Sequence, residues 1–375
     1  MPSRGPAGAS KSWARALAGL VVAGVILASV EAALRARLGP APAAIPVYDA
    51  IAERDDYLAI ADGLVEPVFG KGELSSFSVD KQGTRIAVLG GSSVHGGSPR
   101  VSIEEEFPAR MGRLLEVEVL NLGSPGLDSH DLVRLLGELD PVELDLLVIY
   151  SGHNDFGNTF FEERYGDVGS AVFARVHGVL SRLQLYSRLS LLVRPLTGST
   201  RRSSGAEKAA HPDVFAMTEE RRALALSGFA ANLERIAWIT AQRGLELVVV
   251  VPVSRLAALP APSACTPGEC PRDHLQQARR IVADDPAAAV ALLQDVRDKD
   301  PLSIRAPTAA QQVVRELAAS HPHISLVDPL TGLPRDHIFP VPDRRLFIDP
   351  VHLSHSGHRE MSELIAAELK ASGRL

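Results

Sequence analysis

The sequence predicts an α/β protein: a three-layer α/β/α sandwich around a mostly parallel five-stranded sheet, preceded by an N-terminal membrane helix. The chain has 375 residues, of which 46% are hydrophobic and 22% charged, and this is enough to build a substantial core. Short, continuously apolar runs alternate with longer segments of helical spacing, which is typical of parallel strands covered by helices on both faces. An uncharged apolar run lies near the N-terminus, at residues 16–30.

Five apolar runs have the length and composition of buried strands. They are RIAVLGG at 85–91, VEVLNLG at 117–123, LDLLVIYSG at 144–152, LELVVVVPV at 245–253 and HISLVDP at 323–329. Between and after them, helical spacing predicts helices at 102–116, 128–140, 218–244 and 355–371. The second of these helices has Asp128 or Ser129 as its N-cap, and the third opens with a capping-box pattern and stops at Gly244.

The N-terminal run at 16–30 is preceded by Arg4, Lys11 and Arg15. Its helical pattern continues without a convincing small-x-small cleavage site, so we interpret residues 1–38 as an uncleaved signal anchor. This interpretation predicts a single-pass protein of the bacterial inner membrane, with the body of the chain periplasmic or extracellular. A cleaved signal peptide and an amphipathic soluble helix are the alternatives. The net charge of −6 offers no basic footprint for nucleic acid.

The rest of the chain divides into a lead-in and one large domain. Residues 39–84 are rich in Pro, Gly and Ala and are predicted to be a linker and irregular structure. The domain at 85–375 carries two helical insertions, at about 156–217 and 254–322. In the second insertion, Cys265 and Cys270 flank a Pro-Gly turn and could close a small disulfide loop, which an exported chain permits. A zinc site would need two more ligands at similar spacing.

The first predicted strand ends in GGSSVHGG at residues 90–97. A phosphate-binding loop would need a P-loop lysine or a G-x-G-x-x-G motif, but Ser98 and Pro99 follow instead. A nucleophile would need a serine at the carboxyl end of a strand, a base, an orienting acid and oxyanion donors. Ser92 has this position, at the edge where active sites of open parallel sheets lie.

Three further stretches carry groups that would complement a nucleophile. They are NLGSPGLDS at 121–129, SGHND at 151–155 and DPVH at 349–352. The first offers Gly126 in a tight turn, and the second offers the Asn154 amide. In the third, Asp349 is three residues before His352, so its carboxylate can reach Nδ1 while Nε2 faces a nucleophile.

These blocks, in this order, resemble the SGNH (GDSL-type) hydrolase family: LGGSS, GSPGLDS, SGHND and DPVH. The resemblance covers roughly residues 85–155 and 345–372. It implies the flavodoxin-like SGNH fold and a serine esterase that hydrolyses an O-acyl ester of a carbohydrate or a lipid, without a cofactor. Two departures leave the substrate open: Gly91, where many members carry aspartate, and His153, where a small residue is common.

Matched residue by residue, the resemblance implies a role for each group. Ser92 is the nucleophile, His352 its general base and later the acid, and Asp349 orients His352. The oxyanion hole consists of the backbone N–H groups of Ser92 and Gly126 and the side chain of Asn154. A serine hydroxyl is a weak nucleophile at neutral pH, so it needs the imidazole, and the negatively charged intermediate needs the donors.

Several alternatives stay open from the sequence. Within enzymes, the chain could be an O-acyltransferase that acts on envelope polysaccharide, or a metal-dependent hydrolase that uses the histidines of HLSHSGH. Outside enzymes, it could be a catalytically inactive carbohydrate-binding module. His95 and His153 are expected to be structural histidines near the site, and Arg305 is expected to form a surface ion pair or to reach the substrate. The histidines of HLSHSGH are His352, His355 and His358.

Overall fold

Five parallel strands form the central sheet in a computed structural model of the protein. The described residues are 7–38, 57–68, 76–95, 101–157, 180, 183, 185, 217–258, 270–300, 304–332 and 345–374. The strands are β1 (Leu58–Ala61), β2 (Leu64–Pro67), β3 (Phe77–Ser78), β4 (Arg85–Gly90), β5 (Glu118–Gly123), β6 (Leu146–Tyr150), β7 (Glu246–Val250) and β8 (Ile324–Val327). The main helices are α1 (Ala7–Leu38), α2 (Phe107–Leu115), α3 (Ser129–Glu138), α4 (His153–Gly157), α5 (Glu219–Arg243), α6 (Pro271–Ile281), α7 (Pro286–Asp298), α8 (Thr308–Ser320), α9 (Pro329–Gly332) and α10 (His355–Ala371).

The central sheet has the order β5-β4-β6-β7-β8, and every pair in it is parallel. The strand order therefore reverses at β4, whose two neighbours are β5 and β6. In open α/β sheets the crevice at the carboxyl ends of the strands beside such a reversal is where ligands bind. The predicted fold class, with a mostly parallel five-stranded sheet, is confirmed.

Both faces of the sheet are buried. Successive side chains of a strand point to opposite faces, so each strand contributes to a core on either side of the sheet. In β4, Ala87 and Leu89 join a core formed with α3, α5 and α8. Ile86 and Val88 join a second core, formed with α2 and α10. This arrangement explains why the strand is continuously apolar, and it gives the helix-sheet-helix layers that the sequence predicts.

The helix ends follow local sequence signals in most places. Asp128 caps α3 in a capping box with Asp131, and Thr218 caps α5, which ends at Gly244 with a φ of 65°. The helix predicted at 102–116 begins later than expected, since a 3₁₀ turn comes first and α2 begins only at Phe107. The second residue of α2 is proline, which is tolerated in the first turn but not inside a helix.

The N-terminal prediction needs correction. Residues 7–38 form one helix, but none of the helices in the described part of the chain is long and apolar enough to cross a membrane. The uncharged run covers only residues 16–30, whereas a span needs about 20 apolar residues. It is followed within the helix by the ion pair of Glu31 and Arg35. The predicted single-pass inner-membrane anchor is therefore wrong.

The predicted lead-in contains more regular structure than its composition indicates. Strands β1, β2 and β3 form a small antiparallel sheet. It is tied to α3, because the Tyr57 hydroxyl donates to Asp131 (2.7 Å) and the backbone amides of Tyr57 and Leu58 donate to Glu138 (2.7 and 2.8 Å). This sheet therefore packs against the helix that follows the predicted glycine block.

The second insertion contains the paired helices α6 and α7, which bury a small core of their own around Leu275 and Leu293. Most of the first insertion lies outside the described residues. Cys270, at the start of α6, is disulfide-bonded, and Cys265 lies outside the described residues. The pairing of these two cysteines stays a prediction.

Candidate active site

The predicted nucleophile lies in a tight turn directly after β4. The backbone amides of Val94 and His95 both donate to the Gly91 carbonyl, at 3.0 and 3.3 Å, and Ser92 is half-buried inside this turn. A Cβ atom at Gly90 would be 2.3 Å from the carbonyl oxygen of Tyr150 at the end of β6. The absence of side chains at residues 90 and 91 therefore lets the serine turn pack directly against the neighbouring strand end.

His352 connects the predicted acid to the predicted nucleophile. Its Nε2 lies 2.8 Å from the Ser92 hydroxyl, and its Nδ1 lies 2.5 Å from Asp349 Oδ2. The other carboxylate oxygen of Asp349 accepts hydrogen bonds from the backbone amides of Val351 (2.9 Å) and His352 (2.8 Å). The structure thus brings Ser92, His352 and Asp349 together in one hydrogen-bonded chain.

The protonation states follow from these contacts. Burial raises the pKa of Asp349, but hydrogen bonds from the His352 ring and from the amides of His352 and Val351 outweigh it and hold the pKa below its usual range. An ionised Asp349 accepts the Nδ1–H of a neutral imidazole, which leaves Nε2 as the acceptor. This arrangement can remove the proton of Ser92.

Two contacts hold the acid–histidine loop, residues 349–352, against the rest of the site. The Ser93 hydroxyl donates to the Val351 carbonyl (3.2 Å), and the Arg255 amide donates to the Pro350 carbonyl (2.9 Å). Ser93 comes from the nucleophile turn, and Arg255 comes from the segment after β7. The sequence reasoning missed both roles. The one available signal was the position of Ser93 next to the nucleophile.

The predicted glycine and asparagine blocks lie beside the serine turn. The Ser124 amide donates to the Gly90 carbonyl (3.1 Å), and Gly126 has a φ of 81°, which disfavours any residue with a side chain. In the asparagine block, the Asn154 amide donates to the Leu127 carbonyl (2.7 Å). The three predicted oxyanion residues therefore lie on adjoining segments: Ser92 in the serine turn, Gly126 in the loop before α3 and Asn154 in α4.

The histidines around the site have structural partners. The Nδ1 atom of His153 accepts the Ala306 amide (3.1 Å), and burial lowers the pKa of this ring to about 3. The Nδ1 atom of His358 accepts the amide of Phe107 (3.1 Å), and burial lowers its pKa to about 3 as well. His95 is buried next to the nucleophile turn.

The rival metal site would need the three histidines of HLSHSGH around one ion. His352 faces Ser92, His358 caps the first amide of α2, and His355 is exposed. In the described part of the chain, no group of three or more histidine, cysteine or acidic side chains is arranged to hold a metal ion. The rings of His352 and His358 thus have separate partners.

Arg305 is not on the surface. Its side chain is 1% exposed and donates to the carbonyls of Arg255 (3.3 Å) and Ala258 (2.9 Å), and it pairs with Asp300. These contacts connect the segment after β7 to the segment before α8. Arg305 therefore supports the backbone next to the site, which neither sequence interpretation anticipated.

Comparison with solved structures gives the following similarities. An acetylxylan esterase from Geobacillus stearothermophilus is 13% identical, with a TM-score of 0.40, over 76% of this chain and 94% of that one. A GDSL-like lipase from Bacteroides thetaiotaomicron is 12% identical, with a TM-score of 0.37, over 77% and 89%. An α/β hydrolase from the metagenome of Lake Arreo is 13% identical, with a TM-score of 0.39, over 79% and 98%. No protein-family model and no curated protein matches the sequence.

Proposed function

We propose that the protein is a serine esterase of the SGNH type that hydrolyses an O-acyl ester of a carbohydrate or a lipid through an acyl-serine intermediate. One observation carries this proposal: the hydrogen-bonded chain from Ser92 through His352 to Asp349 at the carboxyl end of a parallel sheet. A serine bonded to an imidazole that is itself bonded to a carboxylate is the arrangement that activates a hydroxyl as a nucleophile.

The first half-reaction forms the acyl-enzyme. Ser92 Oγ attacks the ester carbonyl carbon while its proton passes to His352 Nε2, and the imidazolium is stabilised by Asp349. The carbonyl oxygen becomes an oxyanion in the tetrahedral intermediate. When the intermediate collapses, the bond to the alcohol breaks, and the alcohol leaves with the proton of His352.

The second half-reaction releases the acid. A water molecule gives a proton to His352 Nε2 and attacks the acyl carbon, and a second tetrahedral intermediate forms. This intermediate breaks the bond to Ser92 Oγ, which regains its proton from His352. The enzyme returns to its starting state with one ester bond hydrolysed and one water molecule consumed.

The oxyanion is proposed to be held by the N–H groups of Ser92 and Gly126 and by the side-chain amide of Asn154. The adjoining positions of the three segments support this assignment, and Asn154 retains a second amide hydrogen besides the one it gives to Leu127. A single preorganised donor of this kind contributes about 3 kcal/mol to transition-state stabilisation.

Covalent labelling tests the proposal. A fluorophosphonate probe should modify the wild-type protein at Ser92, and p-nitrophenyl esters should be turned over by the same preparation. Ser92→Ala should lose both reactions, while Ser98→Ala, which removes a serine from the same segment, serves as the control. Unchanged ester turnover in Ser92→Ala would refute the proposed function.

A further inference from the structure

A chain of hydrogen bonds lies behind Asn154 and begins on α5. The Asn232 amide donates to the Ser129 hydroxyl (2.8 Å), and this hydroxyl donates to Oδ1 of Asp155. The Ser129 backbone amide donates to the same oxygen (3.1 Å), and the Ser151 hydroxyl donates to Oδ2 (3.3 Å). Asn232 and Ser129 are both fully buried. One carboxylate thus accepts three donors, two from Ser129 at the start of α3 and one from Ser151 after β6.

The direction of this chain follows from the chemistry of its members. An amide nitrogen can only donate, so the Ser129 oxygen is the acceptor from Asn232. The single proton of Ser129 is then available for Asp155. With the backbone amide of Ser129 and the hydroxyl of Ser151, three donors converge on Asp155, and a carboxylate is the side chain that accepts all of them at once.

The chain lies directly beside the proposed oxyanion hole. Asn154 and Asp155 are consecutive residues of α4, and both are bonded to the loop that contains Gly126. Asn154 donates to the Leu127 carbonyl (2.7 Å), and two residues further on Ser129 is bonded to Asp155. Two sets of hydrogen bonds therefore hold the asparagine block against the glycine block. Asn154 makes one of them with Leu127, and Asp155 makes the other with Ser129.

The position of this acid is electrostatically unfavourable. Burial, and after it the negative charge of Asp128, raises the pKa of Asp155 to about 7. An amide side chain at this position would avoid the cost of burying a charge next to another carboxylate. Its oxygen could accept both donors of Ser129 and its N–H₂ could donate to the Ser151 hydroxyl, so the contact between α4 and Ser129 depends on the oxygen and not on the charge.

We propose that Asp155 is a positioning residue that holds the Asn154 side chain in place for the oxyanion by bonding α4 to Ser129. The inference rests on the proposed function and deepens it, since it assigns the alignment of the oxyanion hole to a residue that does not contact the substrate. Misplacing a catalytic group by about 1 Å can cost about 100-fold in rate, which sets the scale of the expected effect.

The test is a double-mutant cycle on steady-state kinetics with a p-nitrophenyl ester. Asp155→Ala should lower kcat by about 10- to 100-fold and leave KM within about 3-fold, because the loss falls on the transition state. In an Asn154→Ala background, adding Asp155→Ala should change kcat by less than about 3-fold, since the group that Asp155 positions is already absent.

Two controls separate positioning from folding. Thr240→Val removes a buried hydroxyl from α5, the helix of Asn232. This hydroxyl bonds to carbonyls of its own helix and to His323, away from the asparagine block, so its loss should leave kcat unchanged. If Asp155→Ala does not fold, Ser129→Ala breaks the same chain and enters the cycle in its place. Melting temperatures of all variants show whether loss of activity follows loss of fold.

The outcomes distinguish the inference from the function on which it rests. The inference is overturned if Asp155→Ala or Ser129→Ala lowers kcat by the same factor in the wild-type and Asn154→Ala backgrounds, because Asp155 then does not act through Asn154. It is also overturned if neither substitution changes kcat in the wild-type background. If Ser92→Ala retains turnover, the proposed function fails instead. Loss of turnover in Ser92→Ala together with a non-additive cycle supports both.

Discussion

The backbone of Gly91 lies against the side-chain amide of Asn154, so that a Cβ atom at residue 91 would be 2.4 Å from Asn154 Nδ2. Glycine at this position is thus a steric requirement of this chain. In this protein the space next to the serine turn is taken by the asparagine.

Gly91→Ala should therefore displace Asn154 and lower kcat at least about 10-fold, since one oxyanion donor leaves its place. The measurement is kcat and KM for an ester substrate. Gly137→Ala is the matched control, because a Cβ there meets nothing within 4 Å and alanine favours the helix. Full activity in Gly91→Ala would show that the Asn154 position has no bearing on turnover.

Ser93 offers a test of the loop contacts. Ser93→Ala removes the hydrogen bond to Val351 but leaves the nucleophile, so fluorophosphonate should still label Ser92. We expect a fall of about 5- to 20-fold in kcat, because the acid–histidine loop loses one of the hydrogen bonds that hold it against the site. Mass spectrometry of the labelled peptide identifies the modified serine. Labelling that moves to Ser93 in Ser92→Ala, with activity retained, would contradict the assignment.

The triad and the metal hypothesis predict different rankings among the histidines. His352→Ala and Asp349→Asn should each lower kcat/KM by several orders of magnitude, about 10⁴-fold for the loss of the orienting carboxylate. His355→Ala should leave activity unchanged, and a chelator should have no effect. Comparable losses at His352 and His355, reversed by added zinc, would instead favour metal-assisted hydrolysis.

Acid should destabilise the fold through His153 and His358. Both have folded-state pKa values of about 3, well below the unfolded value of about 6.5, so their stabilising effect is complete above pH 6.5 and is lost as the pH falls towards 3. Each ring should contribute a slope of up to about 1.4 kcal/mol per pH unit to the free energy of unfolding in that window.

Urea unfolding at pH 7 and pH 5 measures this effect. His358→Gln should show a smaller difference between the two pH values than wild type, whatever its stability at pH 7. His355→Gln, whose native ring is exposed, serves as the control. Equal pH dependence in wild type and His358→Gln would show that the buried ring does not titrate on unfolding.

The main parts of the fold were predictable because their signals are local. Continuous apolar runs such as β4 and β6 identify buried parallel strands, and a capped start with a glycine stop identifies α5. The residues that follow those strands include Ser92 and Asn154, so their meeting at one edge of the sheet follows from the topology alone. The contact that caps α2 was not predictable, because the Phe107 amide donates to His358, which is 251 residues further along the chain.

The supporting contacts of the site were not predictable for a related reason. Ser93 and Val351 are 258 residues apart, and no periodicity connects them. In the pattern SGHND, Asp155 has the position of an ordinary helix cap, and no local signal connects it to its partner Ser129. The N-terminal prediction failed differently, since it relied on the hydropathy of one short run at residues 16–30.

The cap that His358 places on α2 has a consequence for the stage of synthesis at which the site can form. Ser92 and α2 leave the ribosome long before α10 and the loop that carries His352. Until that final segment is synthesised and docked, a nascent chain exposes a serine without its base and a helix without its cap. The proposed ester cleavage therefore requires that the segment with His352 has been synthesised and docked, and a translation product interrupted before it would be inert even though it contains the nucleophile.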